Sequence, residues 1–316
     1  PVPGQTAITS LVSGNYAKSP ANIESAVVTD NLGTGNIDTT TCEYTLNGST
    51  WVAGTWSGPS VKCVNGSVAL NAGSNAINYR IYDKAGNLGT GTAITKTNDS
   101  DPPTSLTLGF GTITTTSITA TASGATDSGA GLNATTPYYF DRTAPTAANS
   151  GYQAAASWNN TGLDANTAYT YSVKAQDDLN NESAFTSTQQ KFTLANVPSA
   201  PTLSNLQPTT LDVALNVNGN PAATQFAIYD MNLAKWVQSD GNASGASETW
   251  QTNAQWGTKT VTGYVAGSQH CFQAKARNGD LAETALSAQT CGTTVGIAAP
   301  SITATDSNKL YALNSG

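Results

Sequence analysis

The sequence predicts an all-β chain of three tandem sandwiches, and three observations lead there. One strand pattern returns at domain-sized spacing. Tyr169, Tyr171, Val173 and Ala175 alternate with Thr170, Ser172, Lys174 and Gln176, and a period of two buries one face of a strand while wetting the other. The pattern recurs from His270 to Asn278, about 101 residues later, and more weakly from Ile77 to Asp83, about 92 residues earlier, so one kind of unit is present three times. Turn clusters such as Asn31-Leu-Gly-Thr-Gly35, Asn47-Gly48 and Asn65-Gly66 punctuate the short apolar runs at sandwich spacing. Composition agrees: only 10% of residues are charged, while Thr and Ser together number 77 and Asn 29, the short polar side chains that suit exposed strand positions and turns. Nowhere do ten or more residues carry an apolar helical period.

The first unit covers residues 1–98, with strands expected at Ile23 to Val28, Cys42 to Leu46, Val61 to Val64 and Ile77 to Tyr82. At Tyr44-Thr-Leu-Asn-Gly-Ser-Thr-Trp51 and Tyr82-Asp-Lys-Ala-Gly-Asn87 it resembles the bacterial immunoglobulin-like domains of large surface proteins. A stiff junction follows at Asn98-Asp-Ser-Asp-Pro-Pro103, where two prolines stop a helix or a central strand.

The second unit covers 102–195, with strands expected at Ser117 to Ala122, Tyr138 to Arg142, Tyr169 to Ala175 and Gln189 to Leu194. Its Leu163…Tyr169-x-Tyr171-x-Val173 run resembles the corner and following strand of fibronectin type III domains. That resemblance implies a tyrosine corner at Tyr169, its hydroxyl bonded to backbone upstream. The tryptophan usual on the second strand of that family is replaced by Ala120 and Ala122, which leaves Trp158 to fill the core.

After Val197-Pro-Ser-Ala-Pro201, the third unit covers 197–295, with strands at Leu211 to Val217, Gln225 to Tyr229, Lys235 to Val237, Thr258 to Val261 and Cys271 to Ala276. It again resembles fibronectin type III, with His270 in place of the corner tyrosine and Tyr264 in place of the leucine before it. Residues 296–316 are a linker, a donor strand or the start of a further domain.

Four cysteines form two pairs, Cys42 with Cys63 and Cys271 with Cys291, each inside one unit. Loops of that size close between neighbouring strands, and each bond would contribute roughly 3 kcal/mol. An oxidising, extracellular or cell-surface setting follows. A zinc site would need Cys-x-x-Cys or histidine spacing that the chain lacks.

Several classes of function are disfavoured. A net charge of −7 with a pI near 4.5 repels phosphate backbones, so nucleic acid is not an expected partner. No run of 18 apolar residues offers membrane insertion. The chain begins at Pro1, which leaves open a processed secreted product or a piece of a longer polypeptide. The sole histidine, His270, stands beside Cys271, and adjacent strand residues face opposite sides, so a structural role is favoured over a nucleophilic pair. No nucleophile elbow or phosphate loop occurs.

Two binding chemistries remain to be weighed. Asp99 with Asp101 at the first junction, or Asp127 with Asp177 and Asp178 on loops, supply oxygens of the kind calcium takes, against the plainer reading of solvated turn carboxylates. Trp236, Trp250 and Trp256 would stack on sugars if exposed, and fill the core if not. The expectation is accordingly a non-enzymatic protein with no catalytic residue, cofactor or metal: a surface stalk, adhesin segment or filament subunit that self-associates or touches other surface proteins. The alternative is the carbohydrate-binding accessory region of a secreted polysaccharide-degrading enzyme, with glycans as partner.

Overall fold

The computed structural model describes residues 1–298. Strand exchange is the expectation for the two end segments, 1–12 and 300–316; the second lies outside the described residues, and in the first Val2–Pro3 and Ala7–Ile8 pair within the chain, with Val28–Thr29 and Ala21–Glu24. Strands dominate; the described helical segments are the one-turn helix Asn253–Trp256 and the 3-10 turn Thr34–Asn36. The short helix forms because Thr252 and Gln255 cap it reciprocally, each side chain bonding the other's backbone.

The sheets fall into three sets along the chain. In the first, Ala7–Ile8, Ala21–Glu24, Lys62–Val68 and Thr55–Ser57 lie side by side in that order. Opposite them run Val12–Ser13, Tyr16–Ala17, Ile94–Asn98, Gly73–Tyr82, Glu43–Thr45 and Val52–Ala53. In the second set, Thr107–Ile113, Ser117–Ser123 and Ser157–Thr161 form one sheet, and Ala148–Gln153, Tyr138–Ala144, Ala168–Ala175 and Gln189–Phe192 the other. The third set repeats this three-facing-four plan. Ser199–Ser204, Thr210–Asn216 and Thr258–Thr262 form one sheet, and Lys235–Val237, Gln225–Asp230, Gln269–Arg277 and Thr290–Thr293 the other, extended by Ala243–Gly245. Sheet pairs that share a buried apolar face are β-sandwiches.

Compactness groups these sets into two units. One comprises Pro1–Ile113, Ser117–Gly162 and Ala168–Lys191, so the first two sets and the Asn98–Pro103 junction lie inside it. The other comprises Thr114–Thr116, Leu163–Thr167 and the described chain from Phe192 onward.

The three alternating strands are the spine of each core. Ile77, Tyr79 and Ile81 point inward from Gly73–Tyr82, Tyr169, Tyr171, Val173 and Ala175 from Ala168–Ala175, and Phe272, Ala274 and Ala276 from Gln269–Arg277. Each fully buried Ile or Phe side chain contributes about 1.5–3 kcal/mol. Trp158 does pack inward in the second set: its ring meets Tyr171 edge-on at 6.1 Å, and Phe110 meets Tyr171 from a second direction at 5.8 Å. The buried hydroxyls of Tyr79 and Tyr171 are satisfied, whereas that of Tyr152 has no hydrogen-bond partner among the described residues. Tyr79 shares its one hydroxyl proton between the Ile23 carbonyl at 3.0 Å and Asn65 Oδ1 at 3.1 Å, and Asn160 donates to the Tyr171 hydroxyl at 3.0 Å.

Candidate functional site

The strands that build the cores also position the most distinctive polar groups. Each ends in a five-residue turn organised by one side chain. Asp83 Oδ1 accepts from the amides of Ala85 and Asn87 at 2.9 and 2.8 Å. Asp177 Oδ1 accepts from Leu179 and Asn181 at 2.8 and 2.7 Å. Asn278 Oδ1 accepts from Asp280 and Ala282 at 3.1 and 2.8 Å. The fourth residue of each turn is left-handed: Gly86 at φ 87°, Asn180 at φ 56° and Leu281 at φ 64°. A short acceptor at the first position suits such turns because it replaces backbone partners that the tight bend removes. Bonds from Ala85, Asn87 and the Asn87 amide group hold the Asp83 carboxyl below the usual carboxylate range, the Asn87 side chain contributing most.

Two of these turns also grip the chain that enters their own set. Asn181 Nδ2 donates to the Asp99 carbonyl at 3.3 Å. Asn278 Nδ2 donates to the Thr193 carbonyl at 3.0 Å. The connecting segments are thereby fixed by buried bonds, worth about 1 kcal/mol each.

Three residues before each turn, on the outward side of the strand, stands a cation: Arg80, Lys174 and Lys275. Each lies over aromatic rings and pairs with glutamate. Arg80 sits 4.4 Å from the Trp51 ring and bonds Glu43 at 2.6 Å. Lys174 lies 5.2–5.4 Å from the rings of Tyr139, Tyr152 and Phe185 and pairs with Glu182. Lys275 lies 4.8 Å from Trp236 and 5.4 Å from Trp250, and bonds Glu248 and Glu283 at 2.6 Å each. Burial opposes the Lys275 charge, but the two glutamates outweigh it and its pKa is raised; the Lys275 ammonium in turn holds Glu248 low.

This arrangement decides the tryptophan question. Trp256 is core, 2% exposed, with its indole N–H donating to the Phe226 carbonyl at 2.8 Å. It is not available to a sugar. Trp236 is covered by Tyr229 at 4.8 Å and by Lys275, and Trp250 by Lys275 and by Arg277 at 4.6 Å. Trp236 and Trp250, both half-buried, are thus already engaged by the chain's own cations.

The acidic residues sort differently from either expected grouping. One carboxylate oxygen each of Asp99, Asp127 and Asp177 lie within 4.8 Å of one another, whereas Asp101 and Asp178 are not part of that cluster. Asp178 instead accepts from Ser13 Oγ at 2.8 Å and from the Ala134 amide at 3.0 Å. Backbone donors place the three: Ala130 N bonds Asp99 Oδ2 at 2.6 Å, and Gly129 N and Gly131 N bond Asp127 Oδ2 at 3.0 and 2.8 Å. A Cβ at Gly129 would fall 2.0 Å from Asp99 Oδ2, so any side chain there would displace that carboxylate. Among the described residues none of the three forms an ion pair. In type they fit a hard cation, which takes roughly six to eight oxygens, of which this cluster supplies three. A cleft of about 370 Å³ opens beside it, lined by Asp101, Pro102, Thr104, Thr126, Asp127 and Ser128.

His270 is structural. Its Nδ1 lies 3.0 Å from Asp230 Oδ2 and its Nε2 3.0 Å from Ser268 Oγ, while Tyr264 stacks on the ring at 3.7 Å and donates to the same Asp230 oxygen at 2.8 Å. Tyr264, His270 and a fully buried Asp230 together fill the place where the family resemblance put a tyrosine corner. Cys271 faces the other way and is bonded to Cys291; Cys42 is bonded to Cys63.

No protein-family model matches the sequence, and no curated protein matches it. Solved structures with a similar fold include a two-domain fibronectin type III segment of chicken tenascin, 15% identical, covering 62% of this chain and 99% of that one with a TM-score of 0.37. The FN1–FN3 domains of chicken CNTN1 are 13% identical, covering 93% of this chain and 98% of that one with a TM-score of 0.27. The assignment to all-β sandwiches rests on the chain's own sheet order.

Proposed function

We propose that the chain is an extracellular structural or adhesive protein without catalytic function, a spacer of tandem β-sandwiches within a surface stalk, adhesin or filament. The observation that carries this reading is the repeated turn. In two of its three occurrences it locks the connecting segment through Asn181 or Asn278, which serves a chain that must transmit load between sandwiches rather than close on a substrate. The side chains most often used for chemistry or ligand stacking are engaged internally, as Lys275, Trp236 and His270 illustrate. Two disulfides accord with an oxidising compartment.

Stretching single molecules of the full chain by atomic force microscopy tests the proposal. Discrete, cooperative unfolding peaks are expected, and Asn278→Ala lowers the force of the peak assigned to the third set. A featureless extension would remove the mechanical reading. Glycan-array binding lost on Trp236→Ala or Trp250→Ala would favour the accessory-module alternative instead.

A further inference from the structure

The two disulfides occupy opposite environments. Cys42 and Cys63 lie in the core of the first set, 2% and 0% exposed, packed among Ile23, Ile77 and Tyr79. Cys271 and Cys291 are direct cross-strand partners on the outward side of Gln269–Arg277 and Thr290–Thr293. Cys291 is exposed, and Thr290–Thr293 is the last strand of its sheet, hydrogen-bonded on one side only. Its inward residue, Gly292, covers Leu203 and Leu206. It is held by four registered pairs, Gln269 with Thr293 through Phe272 with Thr290. A disulfide is reduced by in-line attack of a thiolate on one sulfur, so the accessible bond on an edge reacts while the buried one does not.

We propose that Cys271–Cys291 is a redox-operated latch on the edge strand Thr290–Thr293, opened by an external dithiol, and that Cys42–Cys63 is a permanent brace. The thiolate of the dithiol attacks Cys291 Sγ, the S–S bond breaks, and Cys271 leaves as a thiolate that takes up a proton. The second thiol of the reductant then attacks the mixed disulfide, closes to a cyclic disulfide and releases Cys291, which is also protonated. Two electrons and two protons pass from the dithiol to the protein. The strand keeps its four pairs but loses the cross-link, so it opens more often without the rest of the sheet dissolving.

The test is graded reduction of the native full chain with dithiothreitol, alkylation with iodoacetamide and peptide mass spectrometry, followed by amide exchange of the partly reduced protein. Cys271 and Cys291 are expected to be alkylated at a reductant concentration about tenfold or more below that needed for Cys42 and Cys63. Exchange at residues 290–293 is expected to rise about tenfold while that at Gln225–Asp230 holds. Reduction of both bonds over the same range, or of Cys42–Cys63 first, overturns the proposal. So does unchanged exchange at 290–293, or an equal rise at Gln225–Asp230, which would make the bond a brace like the other.

Discussion

Leu281 sits in a backbone conformation that its side chain opposes. With φ 64° and 62% of its surface exposed, it takes the left-handed position that Gly86 fills in the first copy of the turn, and the side chain gains little packing in return. Left-handed geometry costs an L-residue roughly 1 kcal/mol, so Leu281→Gly is expected to stabilise the second compact unit by about that amount in urea denaturation. A loss of stability would show that the side chain packs more than its exposure implies. Two residues earlier the sign reverses. A Cβ on Gly279 would fall 2.4 Å from carbons of the Phe192 ring, so Gly279→Ala is expected to cost about 1–3 kcal/mol by overpacking. Phe192→Leu in the same background should return part of the loss, and failure to do so would place the strain in the backbone.

At the scale of elements, the cation over aromatic rings is the unit that recurs. Lys275 is 12% exposed and flanked by Glu248 and Glu283, so its pairs gain more than open surface pairs and less than buried ones. A double-mutant cycle of Lys275→Met with Glu248→Gln should give a coupling of about 0.5–1 kcal/mol; a coupling indistinguishable from zero would leave the rings as the sole support of the lysine. The alternating strands beneath these clasps were legible in the sequence because a regular apolar alternation marks one face of each, Ile and Tyr in the first, Tyr and Val in the second, Phe272, Ala274 and Ala276 in the third. Thr107–Ile113, Ala148–Gln153 and Ser157–Thr161 were not: Gly109 and Gly111 weaken the strand signal around the inward Leu108 and Phe110, and asparagine or serine interrupts the apolar alternation in the other two, so pairing with neighbours makes them strands. The turn was legible once, as Asp83-Lys-Ala-Gly-Asn87. In Asp177-Asp-Leu-Asn-Asn181 the first and last residues persist, Asn181 bonding Asp177 as Asn87 bonds Asp83, and in Asn278-Gly-Asp-Leu-Ala282 only the acceptor at the first position does, so the geometry repeats more fully than the sequence. Cysteine spacing, by contrast, carried both pairings outright. The carboxylate cluster was half legible: Asp99, Asp127 and Asp177 stood among the candidates, but long-range folding joined one member of the first group to two of the second.

For the whole molecule, the ionisable groups fix how stability falls away on both sides of neutrality. On the acid side, Glu182 and Glu248 are held low by hydrogen bonds from Lys174 and Lys275, Asp38 by Thr40, Asp240 by Asn242 and Asp30 by the Leu32 amide. A depressed carboxylate stabilises the fold above its unfolded pKa, around 3.8 for Asp and 4.5 for Glu, and that contribution is lost as pH falls through the folded value. On the alkaline side the relevant groups are tyrosines. Burial pushes Tyr152 up to about 12 and raises Tyr79, Tyr171 and Tyr264 as well, the last with help from Asp230. A raised group stabilises below its unfolded pKa, around 10.0, and that contribution fades as pH rises toward the folded value, because the unfolded chain ionises first. The raised lysines act in the same sense, above about 10.5. Urea midpoints should therefore drop below about pH 4 and again above about pH 10. In the alkaline limb the tyrosinate absorbance of the native protein should report fewer than its 12 tyrosines, the remainder ionising only together with the loss of near-ultraviolet circular dichroism. If all 12 titrate smoothly while that signal persists, the buried hydroxyls of Tyr79 and Tyr264 are open to solvent, and the sheets they join are looser than their packing indicates.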